Sequence, residues 1–167
     1  MATDIKAKRF TDGTAAAATT IAAAQTLGGA GNMTLAGTAA TFGGTNLGQK
    51  ITLVSTGNIS AVTFTITGTD PTGASQTEDL TGPNNSTVTS TKYFNTVTQI
   101  AASGAVGTNT SSGVAADQGG TLFAGRTRVR GMHAVNAGAG TIFFNNSSID
   151  GSEILGVPVD AGDLDPY

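Results

Sequence analysis

Between Asn58 and Ile100 the pattern of apolar and polar positions is one of strands and turns. In VTFTIT, Val62, Phe64 and Ile66 alternate with Thr63, Thr65 and Thr67, the two-residue period that sends apolar side chains to one face of a sheet and hydroxyls to the other. GTDPTGAS then reverses the chain, with Pro71 presetting φ and Gly73 free to take φ > 0, so that QTEDL returns as the second arm of a hairpin. GPNNS is the next reversal. TVTSTKYFNTVTQI supplies one long strand or two short ones, with Val88, Phe94, Val97 and Ile100 predicted to point inward.

Upstream, NMTLAG places Met33 and Leu35 on one face, and KITLVST places Ile51 and Leu53 opposite Thr52 and Val54. TFGGTNLG, between them, can set Phe42 and Leu47 against the core. Strands spaced by about 8 to 15 residues and punctuated by Gly, Asn and Pro predict an all-β fold, an antiparallel β-sandwich or jelly roll. No strand-helix alternation is present, which excludes a parallel α/β sheet. Thr14 to Gly29, TAAAATTIAAAQTLGG, is low in complexity, with Thr14 as an N-cap and Gly28 as a stop. Three β-branched residues, Thr19, Thr20 and Ile21, limit any helix to a turn or two near Ile21 to Gln25. The remainder is expected to be an extended linker.

The segment 102–120, ASGAVGTNTSSGVAADQGG, loses the strong apolar period and reads as a domain boundary. Beyond it, TLFAGRTRVRGMHAV and GTIFFNNSSIDGSEILGVPV have strand patterns joined by NAGAG. Two or three strands are marginal alone, so this part is expected to pack on the first domain or on a neighbouring subunit. The expected division is an N-terminal arm over 1–25, a β-sandwich domain over 26–118 and a C-terminal β segment over 119–167.

The run GNIS.VTFTITGTD..G....EDLTGPN.STVTST.YF.TVTQI, within about residues 26 to 110, resembles a repeated β-rich module of structural proteins of tailed bacteriophages, both capsid-decorating (cement) and tail-associated. The likeness is one of pattern and involves no site residues. It implies a β fold and a virion setting much more strongly than any particular partner. The partners expected are the major capsid protein or other virion proteins, with a homo-oligomer, a trimer or several copies, as the assembled form.

Composition sharpens this picture. A chain of 167 residues suffices for one ordinary domain or two small ones, and a globule of that length buries about 70% of its extended-chain surface. Its apolar fraction is 38%, much of it Ala, with 7 Phe, 2 Tyr and no Trp, so the core must be thin. Charged residues make up 11%, against about 25% in ordinary globular proteins, and the net charge is -3. Such a hydroxyl-rich surface has little electrostatic protection against association. It suits a chain that lives in an assembly; a soluble monomer with a hydroxyl-rich surface is the alternative. Without cysteine there is no disulfide framework, thiolate chemistry or Cys-based zinc site. MATDIKAKRF is followed by no apolar run of signal-peptide kind, and no window approaches the ~18 apolar residues of a membrane span. The expectation is synthesis in a cytoplasm, solubility until assembly and no membrane partner.

Two basic groups are candidates for partner binding. Lys6, Lys8 and Arg9 are three of the chain's eight basic residues. In IKAKRF, Ile5, Ala7 and Arg9 alternate with Lys6, Lys8 and Phe10, so the arm could add to a partner's sheet edge; a frayed terminus is the plain alternative. Arg126, Arg128 and Arg130 fall at i, i+2 and i+4, one row on a strand. The row can contact a carboxylate-rich partner, pair internally with Asp160, Asp163 or Asp165, or stand solvated. An acidic chain argues against nucleic acid.

Catalytic and metal signals are weak. The Asp160, Asp163, Asp165 cluster lacks the calcium-loop register and reads as a solvated tail. Glu78 and Asp79, adjacent on a strand, point to opposite faces, the wrong arrangement for an acid/base pair. His133, the single histidine, sits between apolar neighbours, and no G-x-S-x-G elbow exists. LGGAG and NAGAG lack the ending and setting of a phosphate loop. The sequence therefore predicts a non-enzymatic virion protein without cofactor or metal, a capsid decoration or cement protein. A tail, fibre or adaptor component, with a carbohydrate-binding role, is the second reading.

Overall fold

A computed structural model describes residues 8–121, 140–145 and 153–159. The chain divides into two compact units, Met1–Gly120 and Thr121–Tyr167. The first holds two four-stranded antiparallel sheets, an open sandwich and not a closed barrel. One has the order β1-β8-β3-β6, from Ala17–Leu27, Val106–Gly119, Gly48–Ser55 and Thr87–Phe94. The other has the order β2-β7-β4-β5, from Gly31–Asn32, Thr96–Ala102, Thr63–Thr69 and Ser75–Thr81. In the second unit, β9 (Gly140–Asn145) and β10 (Glu153–Val159) pair antiparallel.

Strand β4 follows its alternation: Phe64 and Ile66 are fully buried, while Thr63, Thr65 and Thr67 lie on the outer face. Its register with β5 runs from Thr63 opposite Thr81 to Thr69 opposite Ser75 without a shift. The turn between them has Gly73 at φ 88°, the left-handed conformation that glycine adopts without strain. The Asp70 carboxylate organises that turn by accepting from the N–H and hydroxyl of Thr72, both at 2.7 Å, and from the Ala74 N–H at 3.0 Å.

TVTSTKYFNTVTQI is two strands that belong to different sheets, β6 and β7, with Asn95 between them. Phe94, Val97 and Ile100 are buried and Val88 is half-buried. Side chains of both sheets meet in one core: Ile21, Ile51, Leu53 and Val114 from one, Phe64, Ile66, Leu80, Val97 and Ile100 from the other, with Phe42 from the loop before β3. Each fully buried side chain of this kind contributes about 1.5–3 kcal/mol. Leu47, expected in the core, is only half-buried.

Three expectations are corrected. Ala17–Leu27 is strand β1, not a short helix in a linker, and it buries Ile21 and Ala22 completely. The 1–25 arm therefore includes much of a core strand. Thr19, Thr20 and Ile21 favour the extended backbone, and β8 supplies a partner for their hydrogen bonds. The Gly/Ser-rich segment, which runs to the division between the two compact units at Gly120, is mostly strand rather than irregular chain. It forms β8, the longest of the described strands, which pairs with both β1 and β3. Its Thr110, Ser111 and Ser112 are buried beside Val106 and Val114, so the apolar period is interrupted by small polar side chains in the interior. Finally, NMTLAG is mostly not strand: β2 ends at Asn32, Met33 is buried, and a 3-10 helix follows at Gly37–Ala40.

Candidate functional site

Lys6, Arg126, Arg128 and Arg130 lie outside the described residues, as do His133, Asp160, Asp163 and Asp165. Of the predicted partner-binding group, Lys8 and Arg9 remain. The Lys8 Nζ stands over the Phe10 ring, 5.6 Å from its centroid. The Arg9 carbonyl accepts from Asn46 Nδ2 at 2.7 Å. Farther along, the Thr11 N–H donates to Thr45 O at 3.2 Å and the Thr14 N–H to Phe42 O at 2.7 Å. Of the IKAKRF segment, the Arg9 carbonyl is thus bonded within the chain, and the residues that follow it, Thr11 and Thr14, are bonded to the 42–45 loop.

The principal charged constellation of the described first unit joins three strands. Lys50 on β3 stands opposite Tyr93 on β6, and its Nζ lies 4.8 Å from the ring centroid. The Asp117 carboxylate on β8 accepts from Lys50 Nζ at 3.1 Å and from the Tyr93 hydroxyl at 2.8 Å. Burial and the bond to Asp117 push the Tyr93 phenol up to about 12. Burial pulls Lys50 downward, but the hydrogen bond to Asp117 and the attraction of Tyr93 and Asp117 outweigh it and leave the amine raised. The carboxylate is about half exposed, at 54%. The ion pair itself is worth no more than about 1 kcal/mol in that setting. A phenol that stays protonated and an amine that stays charged form a structural clasp. Neither is tuned to exchange a proton near neutrality.

Lys50 is visible in KITLVST as the polar residue opening a strand, but its partners depend on two registers that local pattern does not reveal. Among the described residues, no three His, Cys, Asp or Glu side chains gather as a metal-binding group. Of the described aromatic side chains of the first unit, Phe42, Phe64 and Phe94 are fully buried, Tyr93 is buried under Lys50 and Phe10 is half-buried.

The outer face of the β4 sheet is a field of hydroxyls. Thr63, Thr65, Thr67 and Thr69 run along β4, flanked by Thr81, Asp79, Thr77 and Ser75 on β5. Thr65 donates to Asp79 Oδ1 at 2.6 Å, and the Thr69 and Thr96 hydroxyls lie 2.8 Å apart. The free edges of the sandwich are also covered in part. On one side the Glu78 carboxylate accepts from the N–H groups of Thr91 and Lys92. On the other, Ala36 N–H donates to Ile21 O at 2.8 Å and Thr38 Oγ1 to Thr20 O. Covered edges leave the faces, rather than main-chain ladders, as the surfaces open to contact. Against protein-family models, curated proteins and solved structures, the chain has no match.

Proposed function

We propose that the chain is a non-enzymatic structural protein of a virion, a decoration protein that seats on the outer surface of a phage head and stabilises it. The observation that carries the reading is the hydroxyl face of the β4 sheet, where one strand contributes four threonines and its neighbour a single charge, Asp79. Such a face suits packing at fixed positions on a protein lattice, because little charge needs desolvation and many hydroxyls can find partners. Resemblance of residues 26 to 110 to β-rich phage modules supports the same setting. In it the partner is the major capsid protein, the chain acts in several copies, and Arg126, Arg128 and Arg130 with Lys6, Lys8 and Arg9 meet acidic capsid surface.

A sugar-binding tail tip needs exposed aromatic platforms or a convergent polar pocket, and the aromatic side chains of the first unit's two sheets, Phe64, Tyr93 and Phe94, are buried. For the faces of that unit this supports decoration over the tail reading. Co-sedimentation of purified chain with phage heads stripped of it tests the proposal. Saturable binding that raises the heat resistance of the heads supports it, and the absence of binding rejects it.

A further inference from the structure

We infer that Arg9–Thr14 is an intramolecular strap that fixes the last residues of β8, the point at which the chain leaves its first unit. This inference is independent of the virion reading. The strap is tied at successive residues: Asn46 Nδ2 donates to Arg9 O, Thr45 N–H to Thr11 Oγ1 at 2.8 Å, and Gly13 N–H to Gln118 Oε1 at 3.1 Å. Gln49 is the bridge. Its Nε2 donates both to Thr14 O on the strap, at 2.8 Å, and to Ala115 O on β8, at 3.1 Å. The stretch 115–118 is thus gripped at Ala115 and Gln118 through the strap and its seat, and at Asp117 by Lys50 and Tyr93.

Three glycines from separate segments make room for this crossing. A Cβ on Gly44 would overlap Thr11 O, and one on Gly120 would overlap Asn46 O and lie 3.1 Å from Phe10 Cε1. On Gly13 it would stand 2.5 Å from Phe42 O and 2.7 Å from Gln49 Oε1. An unattached arm would have no need of such close approach from both sides. Apart from half-buried Phe10, the strap holds by polar bonds. It can therefore release without opening the apolar core, which makes the N-terminal segment a handle on the exit of β8.

Hydrogen exchange on the full chain, read by mass spectrometry for residues 115–120, tests the strap. In Gly13→Ala the strap must lift, and exchange at 115–120 should rise about tenfold while β4 exchanges as in the parent. Thr11→Cys with Thr45→Cys, in a chain without other cysteines, should close an intramolecular disulfide and slow exchange there below the parent. Parent-like exchange at 115–120 in both variants overturns the strap. So does a Gly13→Ala effect that spreads equally to β4, and so does a double-Cys variant that links two chains.

Discussion

The Glu78 carboxylate on β5 accepts the main-chain N–H of Thr91 on β6 at 2.7 Å, so a side chain of one sheet caps the edge of the other. The same carboxylate takes the Thr91 hydroxyl at 2.9 Å and the Lys92 N–H at 3.0 Å. Lys92 Nζ returns a bond to Thr77 O at 2.7 Å, and Gln76 Nε2 donates to Tyr93 O at 2.6 Å. One side of the sandwich is thereby sewn by side chains.

Glu78→Ala removes the acceptor of two strand N–H groups, which water can in part replace because Thr91 and Lys92 are exposed. The expected loss is about 0.5–1.5 kcal/mol, and Glu78→Gln, which keeps one carbonyl oxygen, should lose less. The urea midpoint of the purified chain reads this directly. An alanine variant that unfolds at the parental midpoint would show the seam to be ornamental.

Core and face should respond differently to substitution on the same strand. Phe64→Ala, at a fully buried position, should lose about 3–5 kcal/mol, a large part of the ~5–15 kcal/mol of a typical domain. Thr63→Ala next to it, on the exposed face, should stay within ~0.5 kcal/mol. Thermal unfolding of the two variants compares them. Equal losses would mean that the register of β4 is misassigned.

Alkali should loosen the clasp. The Tyr93 phenol is raised from its ordinary 10.0 to about 12, so its contribution to stability is fully present below pH 10 and is lost as pH rises through 12. Lys50, also raised, shifts stability in the same direction. Stability measured between pH 9 and pH 12 should fall, and Tyr93→Phe should fall less steeply because it has no proton to lose there. Identical slopes in parent and variant would remove Tyr93 from the account.

The arginine row concerns the partner. Replacing Arg126, Arg128 and Arg130 by Gln should weaken binding to phage heads and flatten its dependence on salt, because screening acts on exposed charge pairs. Binding that is unchanged at low and high salt would show that the row does not face the capsid.

Local pattern revealed the fold wherever side chains alternate over a large apolar residue. Phe64, Ile66, Ile51 and Leu53 announce their faces unaided, and Pro71 with Gly73 announces the hairpin. Pattern failed where the core is built from small residues. Ile21 and Ala22 are buried within an alanine-rich run that also suits a helix, and only the pairing of β1 with β8 selects the strand. β8 failed for the converse reason, since Thr110, Ser111 and Ser112 put hydroxyls in the interior and hide the alternation. The clasp was illegible for a third reason. Lys50, Tyr93 and Asp117 are far apart in sequence and meet only through two cross-strand registers, both of them shifted next to Lys50, one between Lys50 and Thr52 and the other between Gln49 and Ile51.

The proposal of a head decoration protein is tested most directly by the ratio of this chain to the major capsid protein in purified particles, measured by quantitative mass spectrometry. A head decoration protein should be present at a copy number comparable to that of the capsid protein, as surface-wide decoration requires. A handful of copies per particle, as at a tail or a single vertex, or none at all, would contradict it.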